Sequence, residues 1–144
     1  MPANTIPIFP VTPKIGFGKV LTANAATDGT GTTVEVFAAG VNGAKIDQIK
    51  VRALGTNVAT VLRFFINNAS TPTVAANNTL IHEETMAATT LSQVAALADK
   101  DVLISKGADA VTPIPYLPAG YKVLVAVGTT IAAGLQVTVH GGDY

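Results

Sequence analysis

The stretch Ala44–Asn68, AKIDQIKVRALGTNVATVLRFFINN, constrains the fold more than any other part of the chain. In its first half Ile49, Val51 and Ala53 alternate with Lys50 and Arg52. Successive side chains of extended backbone point to opposite sides, so this period of two marks a strand with one dry and one wet face. After Gly55-Thr56-Asn57 the pattern changes. Val58, Thr60, Leu62, Phe64 and Ile66 fall on one face, and Ala59, Val61, Arg63, Phe65 and Asn67 on the other. Both faces carry large apolar groups. Such a strand packs a core with one face and presses the other against a covering segment or a neighbouring subunit. The spacing predicts a hairpin, with Gly55-Thr56-Asn57 as its turn. Val61, Arg63 and Phe65 are therefore the candidate partner-binding residues on the second face. Arg63 is the one charge in an apolar strand. It is either a rim residue whose stem is buried while its head reaches water, or half of an interface ion pair with Glu35, Asp47 or Glu83 of a neighbour.

Ahead of this region, residues 1–14 hold Pro2, Pro7, Pro10 and Pro13. Proline fixes φ and removes a donor, which excludes a helix or a central strand. The segment is expected to be an extended arm, either a free tail or a piece that docks on a neighbouring subunit. Ile6, Ile8, Phe9 and Val11 make it apolar, and these are its candidate partner-binding residues. Residues 15–144 are expected to form one domain. A chain of 144 residues buries roughly 70% of its unfolded surface and needs no staples.

The rest of that domain reads as short strands between turn signals. Ile15–Thr22 and Thr32–Ala38 flank the punctuator Asp28-Gly29-Thr30-Gly31, and Gly40–Gly43 turns into the opening stretch. Thr79–Thr85 and Asp101–Ser105 are further strands, separated by the polar loop Asn67–Asn78 and the ambiguous Met86–Lys100. In that segment Leu91, Val94, Ala95 and Ala98 have helical spacing with Thr90 or Ser92 as a cap, yet irregular or extended chain fits equally. Residues 107–120 read as a proline-broken loop. Tyr121–Val127 and Leu135–His140 then alternate cleanly. About eight short strands with Gly, Pro and Asn turns predict an all-β, antiparallel, jelly-roll-like sandwich with an extended N-terminal arm.

No residue pattern carries catalysis. His82-Glu83-Glu84 is the nearest approach to a metal cluster, but a zincin needs its second histidine one helical turn on, and residue 86 is Met. His140 and Asp143 lack an oriented serine, since Ser70, Ser92 and Ser105 lie in no nucleophile elbow. Glu35, Asp47, Glu83 and Glu84 show no sign of pairing as glycosidase carboxylates. Gly16-Phe17-Gly18 has neither the third glycine nor the following helix of a dinucleotide site. The chain has no cysteine, which excludes thiolate chemistry and disulfide staples. The expectation is a protein that is not an enzyme, with no cofactor and no metal.

Charged residues make up only 12% of the chain, against about 25% in an average protein. Nine Lys+Arg balance nine Asp+Glu. A surface this poor in charge invites association, so much of it is expected to be covered in the working state. The absence of a basic run argues against a nucleic-acid partner. No apolar stretch approaches about 20 residues, so no membrane helix is expected, and MPANTIPIFPVTPK does not read as a signal peptide.

Three stretches, VRALGTNVATVLRFFINN, NNTLIHEETMAATTLSQVAALAD and LPAGYKVLVAVGTTIAAGLQVTVHGGDY, resemble small virion proteins of tailed bacteriophages and prophages. The similarity runs from about Gly18 to Tyr144 and is one of phrase and texture. It implies a capsid decoration, or cement, protein that sits as an oligomer on the capsid surface of the virion. The partners it implies are the major capsid protein and further copies of itself, a trimer ahead of a dimer. The alternative is a tail, neck or fibre-associated module that binds a host surface component through loops such as Asn67–Asn78.

Overall fold

The computed structural model describes residues 9–97, 99–102 and 116–144. Within these the chain forms β1 (Thr12–Val20), β2 (Val34–Ala38), β3 (Ala44–Ala53), β4 (Thr60–Asn67), β5 (Asn78–Met86), β6 (Asp99–Val102), β7 (Tyr116–Leu117), β8 (Lys122–Val127) and β9 (Leu135–Asp143). One turn of 3-10 helix, Ala75–Asn77, precedes β5. The first sheet has the order β1-β9-β3-β6, with β7 also on β3, and the second the order β2-β8-β4-β5. All the ladders are antiparallel. Successive strands mostly cross from one sheet to the other, which is the winding of a jelly roll. The expected all-β sandwich is what the chain forms.

The core lies between the sheets. Ile46, Ile49 and Val51 of β3 and Val137 and Val139 of β9 face Leu62 and Phe64 of β4 and Val123, Val125 and Val127 of β8. Each such side chain contributes about 1.5–3 kcal/mol when removed from water. The alternation on β3 is as expected for Ile49, Val51 and Ala53. Asp47 is an extra residue in the ladder with β9, and this bulge shifts the inward phase from Ile46 to Ile49.

The expected hairpin does not form. β3 pairs with β9, β6 and β7, whereas β4 pairs with β8 and β5. The connection Leu54–Ala59 is a crossover between sheets, and Asn57 holds it. Asn57 Oδ1 accepts from the amides of Ala133 and Gly134 at 2.8 and 3.0 Å, and its Nδ2 donates to the Gly134 carbonyl at 3.0 Å. Its backbone exchanges hydrogen bonds with Thr89. Alternation fixes which face of a strand is dry, but it does not choose the strand's neighbour.

One further expectation shifts, and one open alternative is resolved. β1 begins at Thr12, not Ile15, and accommodates Pro13 because it is an edge strand. Residues 86–97 contain no helix: Ser92 Oγ accepts from the amides of Val94 and Ala95 in a turn, and the segment is otherwise extended or irregular. Residues 103–105 of the expected strand and 107–115 of the expected loop lie outside the described residues. No described helix is long and apolar enough to cross a membrane.

Candidate interaction surface

The second face of β4 is covered by the chain itself. Phe65 is 0% exposed and packs with Leu124, Ala126 and the half-buried Leu80 in a cluster apart from the main core. Residues 21–33, the connection from β1 to β2, lie across this face. Ala23 bridges Val127, and the Asn24 amide donates to the Val127 carbonyl at 2.7 Å. At the far corner Gly29 closes on Asn78, where an added Cβ would lie 2.5 Å from Asn78 Cβ. The segment is braced internally. Asn24 Nδ2 donates to the carbonyls of Thr30 and Thr32, and its Oδ1 accepts from the Ala26 amide. The Thr30 hydroxyl and amide donate to Asp28, which holds that carboxyl below its usual range.

This placement corrects two readings from the sequence. Phe65 has no exposed surface with which to meet a partner. Arg63 pairs within its own chain: Nε donates to Glu83 Oε1 at 2.8 Å and Nη1 to the Asn24 carbonyl at 3.0 Å. Glu35 and Asp47 are likewise paired within the chain, with Lys122 and Lys45, each at 2.8 Å. Val61 keeps partial exposure at the rim of an open depression of about 390 Å³, lined also by Thr60, Arg63, Thr85 and Thr129.

The exposed apolar surface lies elsewhere, along β1 and the residues leading into it. Phe9, Val11, Ile15 and Phe17 are 73%, 80%, 61% and 70% exposed. Other exposed apolar residues, such as Val41, Val58 and Val94, lie on loops. Val11 is tied down by its amide, which donates to the Asp143 carbonyl at 2.8 Å. Pro10 lies over Gly142, whose added Cβ would come 2.7 Å from Pro10 Cβ. Of the arm residues singled out from the sequence, Phe9 and Val11 are therefore exposed on a pinned backbone. Ile6 and Ile8 lie outside the described residues.

The sequence reading passed over Ile15 and Phe17, although the glycines between and after them carry the signal. The inward side of β1 is formed by Gly16 and Gly18, against β2. A Cβ on Gly16 would meet the Val36 carbonyl oxygen at 2.1 Å, and one on Gly18 the Val34 Cγ1 at 2.7 Å. Backbone approach fills the inner side, so the bulky side chains can only point out. Register places Ile15 beside His140 and Phe17 beside Thr138 of β9. Further across the same face lie Lys50 and Arg52, both paired with Asp99 at 3.1 and 3.0 Å. These hydrogen bonds hold the Asp99 carboxyl below its usual range.

The charged clusters are ion pairs within the chain. Burial raises the Glu84 carboxyl, but hydrogen bonds from Lys100 and His82 outweigh it and the net shift is downward. Glu83 faces the other way, towards Arg63. Asp143 accepts from the Gly40 amide and from Lys14 Nζ, both at 3.0 Å. Among the described residues no group of three or more His, Cys, Asp or Glu side chains converges.

No family model matches the chain, and no curated protein does. Two solved structures align with the chain. A chain of the cyanophage Pam1 capsid asymmetric unit is 17% identical, with 98% of each chain covered and a TM-score of 0.39. A chain of infectious bursal disease virus, Gx strain, is 12% identical over 91% of this chain and 32% of its own, with a TM-score of 0.29. At these TM-scores neither likeness bears on the fold or the function of this chain.

Proposed function

We propose that this chain is a bacteriophage structural protein that decorates a capsid and stabilises it by bridging shell subunits, with no catalytic role. Its place is the capsid surface and its partner the major capsid protein. The observation that carries the reading is the run of exposed apolar side chains from Phe9 to Phe17 on a pinned backbone. Contiguous exposed apolar surface marks an interaction site, and a chain with 12% charged residues and no net charge has little other means of staying apart. The resemblance of three long stretches to small virion proteins of tailed phages supplies the class of partner.

Labelling virions with an antibody against this chain tests the proposal. Signal over the whole capsid is the expected result. Signal confined to the tail, neck or fibres would replace it with the host-binding alternative.

A further inference from the structure

We infer that β1 pairs with the β1 of a second copy, antiparallel about a two-fold axis at Gly16, so that one sheet continues into the next. The inference stands on the sheet edges and does not depend on the capsid role.

The described strands present four sheet edges, and three of them are blunted. β2 carries a bulge at Val36 and β5 one at Ile81. β5 also carries His82, Glu83 and Glu84. β6 has four residues, three of them charged. Bulges, charges and shortness are the devices that stop edges from recruiting strands. β1 carries Pro13, Lys14 and Lys19 towards its ends, but Ile15–Gly18 between them is uncharged, and all nine residues run in unbroken register with β9. Among the described residues it has no ladder partner on its other side. Val102 and Tyr116, which flank residues 103–115, both lie beside β3 at the opposite edge. An unpaired backbone edge calls for another strand as its occupant.

Register selects a second β1 as that strand. Opposed residues in an antiparallel pair share a face, so centring the pair on Gly16 sets each Ile15 against the Phe17 of the other copy. The four side chains then form one apolar cluster on the outer face. Lys19 meets Pro13 and Lys14 meets Gly18, so no like charges are opposed. Centring on Lys14 would oppose the two lysines, and centring on Phe17 would set Ile15 against Lys19. Gly16, whose inner side is filled by the Val36 carbonyl, puts no side chain of its own at the axis. The contact joins two copies by an isologous patch, the second of the two oligomers named from the sequence.

Two experiments test this. In sedimentation, the wild-type chain should reach twice its 14.6 kDa across the micromolar range, and Phe17→Lys should sediment as a monomer. A monomeric wild type, or a Phe17→Lys variant that stays dimeric, would overturn the pairing. The chain has no cysteine, so Ile15→Cys and Phe17→Cys variants can be mixed and oxidised with diamide. Both positions are exposed, and circular dichroism checks that the variants are folded. A disulfide linking one variant to the other, at least about tenfold in excess over links between identical copies, is the expected product. Absence of that mixed product, or equal self-linking, would refute the register.

Discussion

Arg63 Nη1 donates to the Asn24 carbonyl at 3.0 Å, and this bond ties β4 to the segment that covers its second face. The same guanidinium holds Glu83 on β5. Replacing Arg63 with Met keeps the apolar stem and removes both contacts. The expected cost is about 1.5–3 kcal/mol, the range for hydrogen bonds made by a charged group, measured by urea denaturation. Glu83 is half exposed, so its share, isolated by a double-mutant cycle with Glu83→Gln, should be under about 1 kcal/mol.

Phe65 and Phe17 should respond in opposite ways to truncation. Phe65→Ala empties the cluster beneath residues 21–33 and should cost about 3–5 kcal/mol. Amide exchange at Asn24–Thr32 should accelerate with it, because the segment loses its apolar floor. Phe17→Ser removes an exposed side chain and should change the stability of a single copy by less than about 0.5 kcal/mol.

Gly16→Ala places a methyl where the Val36 carbonyl oxygen stands, 2.1 Å from the new Cβ. β1 and β2 must separate at that point, and backbone does not yield as a side-chain tip does. The expected loss is about 1–3 kcal/mol or more. Gly18→Ala meets the Val34 and Val36 side chains first, at 2.7 and 3.0 Å, with the Glu35 carbonyl oxygen further off at 3.3 Å, and its thermal unfolding midpoint should fall less.

Acid should weaken the β5–β6 region through Glu84. Its carboxyl is lowered from an ordinary value of 4.5 in the folded chain by Lys100 and His82, against the opposing effect of burial. A depressed folded pKa means that the unfolded chain binds the proton more readily. The stabilisation is therefore present above pH 4.5 and is lost as pH falls below it. Glu84→Gln should flatten the decline in unfolding midpoint below that pH, and an unchanged pH profile would assign the acid response to other carboxylates.

Most of the sandwich was legible in alternation alone. β3, β8 and β9 have one face of Val, Ile and Leu, and periodicity reports such faces directly. The doubly apolar β4 correctly announced a cover for its second face. The cover itself was not legible, because LTANAATDGTGTT holds the face with backbone and Asn side-chain hydrogen bonds and has almost no apolar signature. The false hairpin has a related cause: Gly55-Thr56-Asn57 looks like a turn locally, while Asn57 is committed to Ala133 and Gly134, far along the chain. β1 was partly hidden by Pro13, which reads as arm but is tolerated at a sheet edge. The exposed row was therefore recognised at Phe9 and Val11 and missed at Ile15 and Phe17.

On the proposed function, this exposed row is the surface with which the protein meets the shell. This is tested most directly by titrating undecorated capsid shells with the wild-type chain and with a Phe9→Ser/Val11→Ser double variant. Both side chains are mostly in water, so the melting temperature should not change. The variant should bind shells at least about tenfold more weakly, a difference of about 1.4 kcal/mol. Equal occupancy of the shells by both proteins would contradict it.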